Sequence, residues 1–346
     1  MGLWILGLAG CTTDKDVGFA QGDDDSPAES APETGGDSSA LGACPWTAAR
    51  VEQAWVAGLA ADEGFGSAVA WGSDGVWAGA PFGAQGVVYA VADGAATALL
   101  QADGRAGSAL AVGPDGLVIG APLTGQVLGP DGAALAEGAG LGLALWGDDA
   151  GWVAAGAEGW VDSDGGSGLS LARPGGVARA GGVVALGLPR GSDALLLGEA
   201  PVTRVGAHDE AGYALAPGDV AGDGTVAWIV GAPAANAVYL LDAAGGLVRT
   251  LSGGGRFGAA VLAVDLDQSG ALDLVVGAPM DGDEVLGSVS VYLNGSLDSP
   301  ALSWTGRSWG ANLGAALAGG ACGLVAGAPG GAGDAGEILI LSAPPR

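Results

Sequence analysis

A two-part motif that recurs seven times limits what this chain can fold into more than any other feature of its sequence. The first part is a Gly followed by small and apolar residues. It reads Phe65-Gly66-Ser67-Ala68-Val69, Ala106-Gly107-Ser108-Ala109-Leu110, Leu141-Gly142-Leu143-Ala144-Leu145 and Gly181-Gly182-Val183-Val184-Ala185 in the first four repeats. It continues as Ala211-Gly212-Tyr213-Ala214-Leu215, Phe257-Gly258-Ala259-Ala260-Val261 and Leu313-Gly314-Ala315-Ala316-Leu317. The second part is an apolar strand ending in Gly-Ala-Pro or a relic of it. These endings are Gly79-Ala80-Pro81, Gly120-Ala121-Pro122, Gly156-Ala157-Glu158, Glu199-Ala200-Pro201, Gly231-Ala232-Pro233, Gly277-Ala278-Pro279 and Gly327-Ala328-Pro329. Short runs such as Val87-Val88-Tyr89-Ala90-Val91, bounded by Gly, Pro and Asp, have the pattern of buried strands joined by tight turns.

The period of about 43 residues suits one four-stranded blade of a β-propeller. Gly and Ala let blades approach closely near the axis, and Pro ends a strand because it cannot donate to the ladder. Together the two halves resemble the FG-GAP repeat, and from about Val51 onward the chain resembles the integrin α-subunit propeller and its bacterial relatives. The expected fold is all-β: a seven-bladed β-propeller of four-stranded antiparallel blades spanning residues 44–346. The last repeat has no room for a fourth strand after Glu337-Ile338-Leu339-Ile340-Leu341, and residues 51–56 form a spare apolar strand. Lending that strand to the last blade would close the ring and hide an edge.

Residues 1–10 are almost wholly apolar and end in Leu8-Ala9-Gly10 before Cys11, which resembles the lipobox of bacterial lipoproteins. The resemblance implies a cleaved signal peptide (1–10), lipid on Cys11 as the membrane contact, and export to the outer membrane or cell surface of a Gram-negative bacterium. Residues 11–43 are polar and acidic with few large apolar side chains, as in Asp23-Asp24-Asp25-Ser26-Pro27, and read as an extended, disordered tether.

With 38 acidic against 11 basic residues, a formal charge of −27, the chain has no basic stripe to neutralise phosphates. Nucleic acid is thereby excluded as a partner, and cations become the natural counterparts. The distance from the repeat Gly to the triplet Gly locates one such site. It is 13 residues in repeats one, two and seven but 19 in repeats five and six, with the third and fourth between. The longer spacing in repeat six holds Asp265-x-Asp267-x-Ser269-Gly270-x-x-Asp273, which looks like the calcium loop of integrin-type propellers. Alternate side chains turn inward, Gly270 permits the reversal, the Ala271 carbonyl fills a further position and Asp273 closes the cage. That many hard oxygens suit Ca²⁺ over Mg²⁺. Repeat five offers a weaker set, Asp219, Asp223 and Thr225, because Ala221 and Ala227 stand where two ligands would be.

Antiparallel strands send their turns to alternate ends, so the loops after the triplets should share the face opposite the calcium hairpins. That face would collect Asp62, Glu63, Asp209, Glu210, Asp281, Asp283, Glu284 and Asp334 with Trp309, and is the expected docking surface for a protein or glycan at the cell surface. The function expected is a calcium-stabilised, non-catalytic binding or adhesion module. A polysaccharide-active propeller enzyme and a purely structural envelope component are the alternatives. The lone His208 and the absence of a readable Ser-His-Asp set speak against hydrolytic triad chemistry. Finally, Cys44 and Cys322 are the two cysteines left after lipidation, and a spare strand in the last blade brings them together, so they are expected to form a disulfide.

Overall fold

A computed structural model describes residues 44, 46–169, 173–189, 194–198, 203–204 and 208–343. The leader, Cys11, the tether and Glu199-Ala200-Pro201 lie outside them. The described chain is a β-propeller of four-stranded antiparallel blades, with seven such sheets in all. Six run strand after strand in chain order, and the sheet of the fourth repeat, which is among them, has loops outside the described residues. The remaining sheet mixes the two ends of the chain. Its order is Glu52–Ala57, Glu337–Ser342, Gly323–Ala328, Ala316–Gly320, with Glu52 opposite Ser342 and Ala57 opposite Glu337. The first strands of the blades lie side by side in the order Ala68–Gly72, Ala109–Gly113, Ala144–Asp148, Val177–Ala180, Ala214–Pro217, Ala260–Val264, Ala316–Gly320, and the last touches the first.

The two glycines of the motif meet across blade boundaries. A Cβ on Gly79 would stand 2.0 Å from the carbonyl oxygen of Gly107, and one on Gly120 would stand 2.2 Å from that of Gly142. The same collision joins Gly231 to Gly258 and Gly277 to Gly314 at 2.0 Å, and Gly327 of the last blade to Gly66 of the first at 1.9 Å. The repeat glycines also hold left-handed backbone, with φ of 88° at Gly66 and 92° at Gly258. Gly66, Gly107, Gly212, Gly258 and Gly314 each donate the N–H to the triplet glycine of their own blade, as Gly66 does to Gly79 at 3.0 Å. Conformation and space both demand glycine here.

This contact corrects the reading of the third and fourth repeats. In the third, Ala155 rather than Gly156 occupies the register of the triplet glycine, opposite Ala144. In the fourth, Gly181 and Gly182 form the turn between Val177–Ala180 and Val183–Leu188. The residue that meets the next blade is Gly187, whose Cβ would lie 1.9 Å from the Gly212 carbonyl, so the relic of the triplet is Gly187-Leu188-Pro189.

Apolar side chains fill the spaces between neighbouring blades. Val56, Phe65, Val69, Val325 and Ile338 form one such cluster where the last blade meets the first. Arg307, from the chain leaving the sixth blade, bonds Glu337 at 2.6 Å and lies over the Trp55 ring, 4.2 Å from its centroid. It therefore touches both the first and the last strand of the chain. Glu337 is only 2% exposed.

Gly187→Ala is expected to destabilise the protein by about 1–3 kcal/mol through overpacking. Gly113→Ala, whose Cβ would meet nothing closer than 3.5 Å, should change little. Arg307→Ala should cost about 1–3 kcal/mol by stripping a buried carboxylate of its partner. The exposed pair Arg249–Asp298 gives the contrast: Arg249→Ala should stay within about 0.5 kcal/mol. Urea denaturation of the four variants checks both comparisons.

Candidate functional site

The first two strands of the sixth blade, Ala260–Val264 and Asp273–Ala278, are joined by the long loop singled out by spacing. Its carboxylates converge. Asp265, Asp267 and Asp273 each place an oxygen within 4.8 Å of the others. Asp273 is fully buried and Asp267 is 5% exposed. Backbone amides aim at the same carboxylates: Ser269 N–H donates to Asp265 and Asp267 at 3.0 Å, and Gly270 N–H to Asp265 at 2.8 Å. Asp273 accepts from Leu266 N–H and Asn294 N–H, both at 2.9 Å. Burial nevertheless dominates and pushes the Asp273 carboxyl up to about 6, against the pull of those two amides, with the charges of Asp267 and Asp265 adding to the rise. A cation of hard-oxygen preference would relieve that repulsion, and the donor set fits one.

One residue of the expected set behaves differently, and one from outside it joins the loop. Ser269 Oγ donates to Asn294 Oδ1 at 2.6 Å and accepts from Ala271 N–H at 3.3 Å, so it braces the loop. Asn294, in the turn between the third and fourth strands, was not expected at all; its Nδ2 donates to Asp267 at 3.1 Å. The sequence holds a signal that would have found it: Asn294-Gly295 is a turn on the same end of the same blade as the 265–273 hairpin. In the fifth blade both expected carboxylates are engaged within their own loop. Asp219 accepts from Gly222 N–H at 3.1 Å and Gly224 N–H at 2.6 Å, while Asp223 takes both the N–H and the hydroxyl of Thr225, which lower its pKa. That loop satisfies its acids from its own amides and the Thr225 hydroxyl.

Cys44 and Cys322 are disulfide-bonded, with Cα atoms 5.4 Å apart. The bridge lies against the 265–273 loop. Cys44 N–H donates to the Asp267 carbonyl at 3.1 Å, Cys322 N–H to the Leu266 carbonyl at 2.9 Å, and Trp46 Nε1 to that same carbonyl at 2.8 Å.

On the opposite face the expected partner residues divide into two groups. Glu63 accepts from the Tyr89 hydroxyl at 2.8 Å and Asp209 from the Tyr239 hydroxyl at 2.6 Å, and both phenols are pushed up to about 12, chiefly by burial and then by these carboxylates. Glu210 pairs with Arg256. These three acids hold loops onto blades. By contrast Asp62, Asp283, Glu284 and Asp334 are exposed and Asp281 is half-buried. They lie over the sixth, seventh and first blades. Trp309, 78% exposed, stands among them: the adjacent Gly310 donates its N–H to the Glu284 carbonyl at 2.9 Å. A shallow cleft of about 300 Å³ beside it is lined by Asp62, Asp334, Asn312, Phe82 and Pro329. Along the axis runs a larger cavity of about 630 Å³ with aliphatic walls and two indoles, Trp71 and Trp146.

No family model matches the chain, and no curated protein sequence does. Solved structures do resemble it. Virginiamycin B lyase from Staphylococcus aureus aligns with a TM-score of 0.62 at 11% identity, covering 84% of this chain and 99% of that one. A streptogramin B lyase aligns at 0.63 with 10% identity over 85% and 98%. A chain of the mitotic checkpoint complex aligns at 0.59 with 13% identity over 93% and 100%. At such identities the likeness establishes the β-propeller fold and nothing finer.

Proposed function

We propose that the chain is an FG-GAP-type propeller of seven blades, closed by its N-terminal strand, that binds Ca²⁺ in its sixth blade and presents the opposite face to a protein or glycan at the cell surface. The convergence of three carboxylates, one of them fully buried, carries the metal reading. Asp265, Asp267 and Asp273 would hold the ion, with the Ala271 carbonyl completing the set the sequence register implies. When bound, the cation supplies charge compensation. The chain's own contribution is to hold the carboxylates together at the electrostatic cost of their repulsion.

The binding reading rests on Trp309, which is more exposed than any other large apolar side chain of the described residues and sits among acids that make no internal bond. Amphipathic aromatics ringed by polar groups are the usual energetic centre of a recognition surface. Cys44, bonded to the 265–273 loop, is the point from which residues 11–43 and a lipid on Cys11 would tether the propeller to a membrane. Asp62 and Asp334 line one cleft, the feature the enzyme alternative requires, but both are exposed, whereas an acid–base pair needs unlike environments to divide the two roles. Binding without catalysis is the better account.

Chelation should lower the melting temperature, and calcium at about 10 mM should restore about 1–3 kcal/mol of stability for a site of extracellular-module strength, with magnesium less effective. Asp267→Ala should abolish most of this response, and Asp223→Ala should leave it. A melting curve indifferent to both chelator and calcium would leave the loop as an acidic turn. For the face, Trp309→Ala combined with Asp283→Ala and Glu284→Ala should release the protein from a cell-surface fraction that retains the parent chain. Equal retention would rule the face out.

A further inference from the structure

The backbone of Leu266 and Asp267 is held from both sides. On one side the Leu266 N–H donates to Asp273 at 2.9 Å, and the Asp267 side chain belongs to the carboxylate cluster. On the other, the Leu266 carbonyl takes the Trp46 indole and the Cys322 N–H, and the Asp267 carbonyl takes the Cys44 N–H. Cys44, Trp46 and Leu266 are buried together, at 0%, 4% and 0% exposure, in the apolar cluster that also contains Leu324 and Leu341 of the last blade. Trp46 meets Trp304 edge to face with centroids 6.4 Å apart. Cys44 and Trp46 of the 44–46 strap are thus packed as core, and one bond from each, with a third from Cys322, converges on the backbone of two consecutive residues in the 265–273 loop.

We propose that this strap, clasped by the Cys44–Cys322 bond, positions the carboxylate cluster, so that calcium affinity and the stability of the disulfide are linked. The inference rests on the reading that the 265–273 loop binds calcium. Opening the disulfide frees the strap, leaves the Leu266 and Asp267 carbonyls without these donors, and lets the loop spread its mutually repelling carboxylates. Removing the ion does the reverse: the spread loop withdraws the acceptors that hold the strap, and the bridge opens more readily. Thermodynamic reciprocity makes the two effects equal in size. Both conditions that favour the clasp, oxidation and abundant calcium, prevail outside the cytoplasm. The protein would then tighten where it is displayed. Trp46 and Asn294 are positioning residues in this scheme, acting on the ion through Leu266 and Asp267.

The test has two arms on the full chain. In the first, calorimetric calcium titrations compare the oxidised protein with the Cys44→Ser/Cys322→Ser variant, and Trp46→Phe serves as a milder variant that keeps the apolar burial and removes the indole donor. Affinity should fall on the order of tenfold in the double variant and less in Trp46→Phe. In the second, the parent protein is equilibrated with mixtures of reduced and oxidised dithiothreitol, with calcium or with a chelator. Each reduction transfers two electrons and two protons, so that Cys44 and Cys322 become thiols while dithiothreitol closes to its cyclic disulfide. Calcium should raise the ratio of reduced to oxidised dithiothreitol needed for half-opening by the same factor, and in Asp267→Ala that shift should vanish. Calcium uptake that is equal in open and closed chains, with a half-opening ratio indifferent to calcium, would overturn the linkage while leaving the calcium site intact. No uptake by the oxidised parent would instead overturn the calcium reading beneath it.

Discussion

The close approach of two glycine backbones at blade boundaries is the constraint on which the rest of this structure depends. A Cβ at Gly79, Gly120, Gly187, Gly231, Gly277 or Gly327 would stand 1.9 to 2.2 Å from a carbonyl oxygen of the next blade. Such contact is possible only without side chains, and it sets the spacing of the innermost strands. Given that spacing, the second and third strands bring Val, Leu and Ile into the gaps between blades, where they supply the apolar burial. It also fixes which turns fall on which face. A hairpin lengthened between the first two strands must project from one end of the propeller, and a loop following the triplet must project from the other.

That division of faces is what turns a repetitive scaffold into one with distinct sites. The lengthened hairpin of the sixth blade gathers carboxylates because its amides and the Asn294 turn point at them, and because Asp273 starts a buried strand and carries its charge into the core. On the other face, some acids are drawn into bonds with Tyr89, Tyr239 and Arg256, which anchors their loops. Asp62, Asp281, Asp283, Glu284 and Asp334 have no such partner among the described residues, and there the large aromatic is exposed. One residue type therefore makes up both groups, and what separates them is whether a donor stands within reach.

Much of this was legible in the sequence because the governing contacts are local or periodic. The Gly-Ala-Pro triplets, the extra length before Gly231 and Gly277, and the alternation of Asp265, Asp267 and Asp273 are all patterns of spacing. The pairing of Cys44 with Cys322 followed from the topology, since a strand lent to the last blade carries its neighbours with it. The fourth repeat was misread because glycine is so frequent here that Gly181-Gly182 mimics the motif while serving only as a turn. The demand at the boundary is for one glycine, Gly187, and the Ala of the triplet is dispensable, as Leu188 shows. The roles of Asn294, Trp46, Tyr89 and Tyr239 were hidden for a different reason. Each acts through a side chain reaching another segment, and no spacing rule announces such contacts.

The central claim is that the convergence of Asp265, Asp267 and Asp273 exists to hold one calcium ion. The most direct measurement is the calcium content of the protein after equilibrium dialysis against micromolar to millimolar calcium, read by elemental mass spectrometry beside Asp267→Ala. The account predicts saturation at one ion per chain in the parent and near-complete loss in the variant. Parent and variant carrying the same calcium, or none, would contradict it.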